Sequence, residues 1–200
     1  HIDITKNLPV AAGIGGGSTD AAAALKALSA LWGIPDDAVD LARIGLSLGA
    51  DLPVCLRANT TCTGGIGEAL EEGPVLPPAG VLLVNPGIAV ATASVFKARK
   101  GGFTPANRLD RRPADVAELG MMLAERGNDL TDPAIRLCPV IRTVLTALNE
   151  TPGCRLARMS GSGATCFALY DNLAAATAAT AHIARDGWWV AATELITTDG

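Results

Sequence analysis

The chain has 200 residues, 49 % apolar and 18 % charged, with a formal net charge of −4 and a mean hydropathy of +0.32. That balance excludes a disordered or low-complexity chain, and the length is enough to bury a sizeable core without staples. The first hundred residues carry 7 basic and 9 acidic side chains and the second hundred 9 and 11, so neither half offers a basic footprint for nucleic acid; two histidines and no Cys-x-x-Cys argue against zinc, and five widely spaced cysteines read as reduced thiols of a cytoplasmic protein.

In chain order, Ile2 and Ile4 alternate with polar residues and predict a strand. A glycine-rich loop follows, then a helix from Ser18 to about Trp32 with Leu25, Leu28 and Leu31 or Trp32 on one face, stopped by Gly33 and Pro35. A second helix runs from Asp36 or Asp37 to Leu48, with Leu41, Ile44 and Leu48 inward and Gly49 as its stop. Residues 50–62 predict a turn into a strand, and 64–73 a turn with a short edge strand. Between Glu72 and Lys97 lie 24 uncharged residues. Four prolines and three glycines break that stretch, so it predicts a linker, a buried strand (81–85) and a turn rather than a membrane span. A short helix over TASVFKA and an arginine-rich surface loop at 99–112 come next. Helices follow at 114–126 and 133–149. A strand (154–159), a Gly/Ser turn (160–163), a strand (164–170), a helix (172–186) and a strand (188–196) end the pattern. Strands and helices mix without strict βαβ alternation, which favours α+β.

Gly13-Ile14-Gly15-Gly16-Gly17-Ser18-Thr19-Asp20 lies between a predicted strand and a predicted helix. Glycines let a backbone turn tightly and approach a ligand without Cβ clashes. Successive N–H groups then converge on an anion, and the helix start adds its own donors and dipole. Ser18 and Thr19 place hydroxyls at the same point, so the natural guest is a phosphate chain. A P-loop is excluded because no lysine lies between Lys6 and Lys26. A dinucleotide fingerprint is excluded because Ser18 stands where its third glycine belongs. The plain alternative is a strand-to-helix connection with Ser18 as N-cap, but four glycines in five positions exceed that need. Asp51, after the helix-stopping Gly49 and before Pro53, reads as a turn cap or as a general base for an attacking hydroxyl. Asp20 reads as a charge favourable to the helix dipole or as an aid to metal placement. Ser160-Gly161-Ser162-Gly163 reads as a hairpin turn or as a second backbone nest.

Pro9-x-x-x-Gly13-x-Gly15-Gly16-Gly17-Ser18-Thr19-Asp20-Ala21-Ala22 resembles the second motif of the GHMP kinases, the superfamily of galactokinase and of homoserine, mevalonate and phosphomevalonate kinases. The triple glycine before Ser18-Thr19-Asp20 is similar, within it, to the branch acting on a cytidine diphosphate-linked methylerythritol in the non-mevalonate isoprenoid route. Leu48-Gly49-Ala50-Asp51-Leu52-Pro53-Val54 resembles that branch's Gly-Ala-Asp-Val-Pro-Phe segment, and Gly65-Ile66-Gly67-Glu68 its Gly-x-Gly-Glu turn. Arg158 to Ala164 resembles the third superfamily motif. Asn128-Asp129-Leu130 and Pro86…Thr92…Val95-Phe96 agree as well, so the likeness covers nearly the whole chain in order.

The resemblance implies a two-lobed α+β fold, with a ribosomal protein S5 domain 2-like N-terminal lobe over 1–78 and a ferredoxin-like C-terminal lobe over 79–200. It implies ATP and Mg2+ as cofactors and transfer of the γ-phosphoryl to the C2 hydroxyl of the methylerythritol unit. Pro9, Val10, Ala11, Ala12, Gly13, Ile14, Gly15, Gly16, Gly17, Ser18 and Thr19 are then the nucleotide-binding run. Ser18 is the metal-facing hydroxyl and Asp51 the general base, while Ser160, Gly161, Ser162, Gly163 and Thr92 lie near substrate. No nucleic-acid or membrane partner is expected, and the chain is expected to be a monomer or weak homodimer. The family's N-terminal lysine motif and its aromatic and histidine contacts to cytosine have no counterpart in the chain, which predicts a piece that does not turn over by itself. Two alternatives remain: another small-molecule kinase of the homoserine or mevalonate type, and a non-catalytic nucleotide-binding protein.

Overall fold

The computed structural model describes residues 1–9, 12–35, 37–65 and 67–196. They form two compact units, one of Gly15–Val75 and one joining His1–Ile14 to the chain from Leu76 onward.

The larger unit is built on the most apolar strand of the sequence. Strand β3 (Gly80–Asn85) lies inside a four-stranded sheet of order β4-β5-β3-β6, with β4 at Leu156–Met159, β5 at Cys166–Tyr170 and β6 at Trp189–Glu194. All three neighbouring pairs are antiparallel. Such an order requires two crossovers that skip a strand, and helices supply both. The first crossover holds α4 (Thr92–Ala98), α5 (Val116–Ala124), α6 (Thr131–Leu137) and α7 (Val140–Asn149); the second is α8 (Leu173–Ile183). The resulting topology is the ferredoxin-like one expected of the C-terminal half.

Period-2 alternation splits the sheet's apolar residues between two faces. Leu82, Val84, Cys166, Ala168 and Tyr170 pack with Ile141, Val144 and Leu148 of α7 and with Ala176, Ala179 and Ile183 of α8. Val81, Phe167 and Leu169 meet Val116 and Leu119 of α5 on the other face. Each fully buried Leu, Ile or Val contributes about 1.5–3 kcal/mol, so this double layer is the main stabilising element. Asn172 caps α8 by accepting from Ala175 N–H at 2.9 Å.

The smaller unit holds α1 (Gly16–Leu31), α2 (Leu41–Leu48), α3 (Leu52–Arg57) and a hairpin of β1 (Thr61–Gly64) with β2 (Ala69–Glu72). Asp40 caps α2 by accepting from Arg43 N–H at 2.9 Å. Both α1 and α2 pack on α3.

Several expectations are corrected. Residues 1–7 form no strand, and Ile2 and Ile4 are 58 % and 65 % exposed; alternation makes a strand only where a neighbour covers one face. The helix at 18–32 starts two residues earlier, at Gly16, and its last apolar residues, Leu31 and Trp32, are exposed, as is Leu48 of α2. Residues 52–57 are helical rather than extended, because Pro53 falls in the first turn of α3, where its missing N–H costs nothing. The helix expected at 133–149 is two, α6 and α7, parted at Cys138-Pro139, since proline holds the residue before it out of helical geometry. No described helix is long and apolar enough to cross a membrane.

Candidate active site

The glycine loop spans the boundary between the two units, and its two ends do different things. Val10 and Ala11 lie outside the described residues, and Pro9 precedes them half-buried. Ala12 and Gly13 dock on the 160–165 turn. Thr165 N–H donates to the Ala12 carbonyl at 3.3 Å, and the Ser160 hydroxyl donates to the Gly13 carbonyl at 2.7 Å. Gly13 has φ +73°, and a Cβ there would stand 2.7 Å from the Gly163 carbonyl oxygen and 3.0 Å from that of Ser160. Backbone therefore meets backbone at a separation that only glycine permits. Gly13 and the 160–163 turn, about 150 residues apart in the chain, are thus one structural feature of the larger unit.

The other end belongs to the smaller unit. Gly15, at φ +68°, is the N-cap of α1. The helical ladder begins with Thr19 N–H donating to Gly15 C=O at 2.9 Å, so the N–H groups of Gly16, Gly17 and Ser18 precede it and point out of the helix start. Ser18 is the third residue of α1, not its N-cap. Its hydroxyl makes no hydrogen bond among the described residues, whereas Thr19 Oγ1 bonds back to the Gly15 carbonyl at 3.1 Å and reaches Cys55 Sγ at 3.6 Å. Among the described residues, no atom outside the first turns of its own helix comes within 4 Å of a Cβ built on Gly17. Three converging N–H donors, an uncommitted hydroxyl and open space at a helix N-terminus form an anion cradle.

Asp51 occupies the N-cap position of α3, yet its side chain makes no capping bond. It is exposed, and among the described residues its carboxylate has neither hydrogen bond nor ion pair. A turn cap would have spent it. Cys55 lies one turn further along α3, on the same face as Asp51, and its sulfur meets Thr19 of α1. The carboxylate is thus carried by a short helix that is tied to the start of the cradle helix. Asp20 lies beyond the first turn of α1, because the helix begins at Gly16, and the dipole argument for it weakens accordingly.

The 160–163 turn is held from several sides within the larger unit. Thr92 Oγ1 and Ser162 Oγ are 2.8 Å apart. Asn128 Nδ2 donates to the Gly161 carbonyl at 2.8 Å and to that of Met159 at 3.2 Å, while its Oδ1 accepts from Leu130 N–H at 3.0 Å. Buried Asn85 donates to the hydroxyl of buried Thr165 at 2.8 Å and accepts from Gly87 N–H at 2.8 Å. Ser160, Gly161, Ser162, Gly163 and Thr92 are therefore brought together. Asn128 had a sequence signal, the Asn-Asp-Leu segment, without a role attached. Asn85 had only the weak one of a polar residue closing an apolar strand.

Among the described residues no group of three or more His, Cys, Asp or Glu side chains converges as a metal site.

The family model of the GHMP kinases N terminal domain matches residues 1–59, and that of the GHMP kinases C terminal matches residues 109–187. The chain belongs to the GHMP kinase family. A relative from Paramagnetospirillum magneticum, named 4-diphosphocytidyl-2-C-methyl-D-erythritol kinase, is 53 % identical over 98 % of the chain and 69 % of its own length. One of the same name from Gluconacetobacter diazotrophicus is 52 % identical over 95 % of the chain and 63 % of its own length. A crystal structure of a kinase of that name superposes with a TM-score of 0.74 at 33 % identity, covering 94 % of this chain and 68 % of its own. Homoserine kinase from Cytophaga hutchinsonii superposes with a TM-score of 0.67 at 15 % identity, covering 96 % of this chain and 68 % of its own, a likeness of fold alone. The chain thus spans about two thirds of the length of its relatives.

Proposed function

We propose that the protein is an ATP-dependent kinase that phosphorylates the C2 hydroxyl of 4-diphosphocytidyl-2-C-methyl-D-erythritol. The observation that carries the reading is an uncommitted carboxylate, Asp51, on a helix fastened to the start of the glycine-loop helix. The 53 % identity with a kinase named for that substrate supports the choice of substrate. In this reading residues 1–78 belong to the nucleotide lobe and 79–200 to the C-terminal lobe, although 1–14 group with the larger compact unit. The protein works as a cytoplasmic monomer or weak homodimer.

In the proposed mechanism the N–H groups of Gly16, Gly17 and Ser18 receive phosphate oxygens of ATP, with Gly13 and Gly15 setting the backbone path. Magnesium neutralises charge on the β- and γ-phosphates when bound, and Ser18 Oγ is the protein ligand offered to it. Phosphoryl transfer is mostly positioning and charge stabilisation. The acceptor hydroxyl is tertiary and weakly acidic, so its proton must be taken late in the transfer by a carboxylate within about 3 Å. Asp51 fills that role, and the 160–163 turn with Thr92 borders the substrate.

Asp51→Asn keeps the shape and removes the base. In the protein, kcat is expected to fall roughly 10²-fold or more with ATP affinity little changed. Near-normal kcat would show that the base lies elsewhere, with Asp20 the next candidate.

A further inference from the structure

Within the larger unit the loop after α4, the 127–133 segment and strand β4 enclose a cavity of about 490 Å³, in the range of small-molecule sites. Four cationic side chains line it from three places in the chain: Arg99 and Lys100 beyond α4, Arg136 on α6 and Arg158 on β4. Three of them are held in place. Arg99 donates to the Gly102 carbonyl at 2.8 Å and stacks on Phe103 with 3.6 Å to the ring centroid. Arg136 donates to the Ala98 carbonyl at 2.9 Å. Arg158 donates to the Leu123 carbonyl, and burial lowers its pKa.

Their counter-charges set this group apart. Arg111, Arg126 and Arg155 each have a carboxylate, at 2.6 Å from Glu118, 3.8 Å from Glu125 and 2.6 Å from Asp171. Among the described residues none of Arg99, Lys100, Arg136 and Arg158 forms an ion pair. Two carboxylates also line the cavity, Asp129 and Asp132, but Asp129 is engaged by the N–H and hydroxyl of Thr104 at 2.9 and 3.2 Å. Each arginine spends one donor on a carbonyl and keeps others in a planar fork that matches phosphate oxygens. Four cations against two carboxylates leave the concavity with a net positive charge, which is unfavourable, and an anionic ligand offsets it. Pro133, Leu145 and Ala157 supply apolar wall in the same cavity.

We propose that this cavity binds a phosphate monoester of a small, partly apolar alcohol, an inference that does not rest on the kinase reading. Titration of the chain with inorganic phosphate and with n-butyl phosphate, followed by amide NMR, tests it. The amides of Gly102 and Gly127 report the cavity, and those of Gly16 and Gly17 report the cradle separately. The ester should shift Gly102 and Gly127 and bind there at least threefold more tightly than inorganic phosphate. The Arg99→Gln, Arg136→Gln double variant should weaken that affinity by tenfold or more. Lys100→Gln, at an exposed lysine whose loss does not threaten folding, should weaken it about threefold. Unshifted Gly102 and Gly127, or an affinity there that neither variant lowers, would overturn the site. Equal affinity for the two probes would overturn the assignment to an ester.

Discussion

Gly13 and Gly17 stand four residues apart and have opposite reasons to be glycine. At Gly13 the left-handed φ and the carbonyl oxygen 2.7 Å from any Cβ make the constraint internal. Gly13→Ala should therefore cost about 2 kcal/mol or more, since a non-glycine residue in that region costs about 1 kcal/mol before any clash. At Gly17 no described atom outside its own helix lies within 4 Å of that position. A side chain there tilts toward the helix N-terminus, where the phosphates of the proposed mechanism sit. Gly17→Val should leave Tm within a few degrees yet raise the ATP KM about tenfold or more, because it fills ligand space. Thermal unfolding alongside steady-state kinetics separates the two. Equal Tm losses, or an unchanged ATP KM for Gly17→Val, would show that the loop is only a connector. The glycine run and Asp51 were legible in the sequence because their spacing is local. The docking of Gly13 on Ser160, and the clamp of Asn128 on Gly161, were not, since no periodicity registers partners 147 and 33 residues away.

At the scale of elements, legibility followed the strength of the local signal. β3, β5 and α8 stand close to their expected places, because continuous apolar runs and cap residues mark them. Residues 52–57 depart from the expected strand, because Pro53 in the first turn starts a helix. The start of α5 carries its signal openly. Asp115 Oδ1 accepts from Glu118 N–H at 2.8 Å, and Glu118 Oε2 reaches back to Ala114 N–H at 2.6 Å, a variant of the reciprocal capping box. Asp115→Ala should cost about 1 kcal/mol, a fall in Tm of roughly 2–4 °C for a chain of this size. The backbone bond from Ala114 and the Arg111 guanidinium hold the Glu118 carboxyl below its usual pKa. Its contribution is present above the carboxylate range and is lost as pH falls through the lowered pKa. The Tm deficit of Glu118→Gln should accordingly shrink on acidification. A deficit that stays constant with pH would mean the carboxylate charge contributes nothing.

Across the whole molecule, the buried core and the proposed chemistry fall in different units. Every member of the two buried apolar clusters lies at or beyond residue 79, whereas the described residues of the smaller unit bury only Ala22, Leu52 and Pro53 among their apolar side chains. With about 1.5–3 kcal/mol per buried large side chain, the local opening free energies of α1 and α3 should lie several kcal/mol below that of the β3–β5 pair. A tenfold change in an equilibrium corresponds to about 1.4 kcal/mol. In hydrogen exchange the amides of α1 and α3 should then exchange about 10²-fold or more faster than those of Leu82, Val84 and Ala168. The phosphate cradle and Asp51 both sit on this looser unit, so nucleotide binding would have to supply the missing order. A ligand at a hundred times its Kd adds about 2.7 kcal/mol to whatever it binds. MgATP at that excess should slow exchange across the first turns of α1 roughly 10²-fold, while β3 and β5 stay as they were. If α1 and α3 are as protected as β3 without ligand, the uneven burial does not govern local opening. If MgATP slows β3 but not α1, the glycine loop is not where the nucleotide acts.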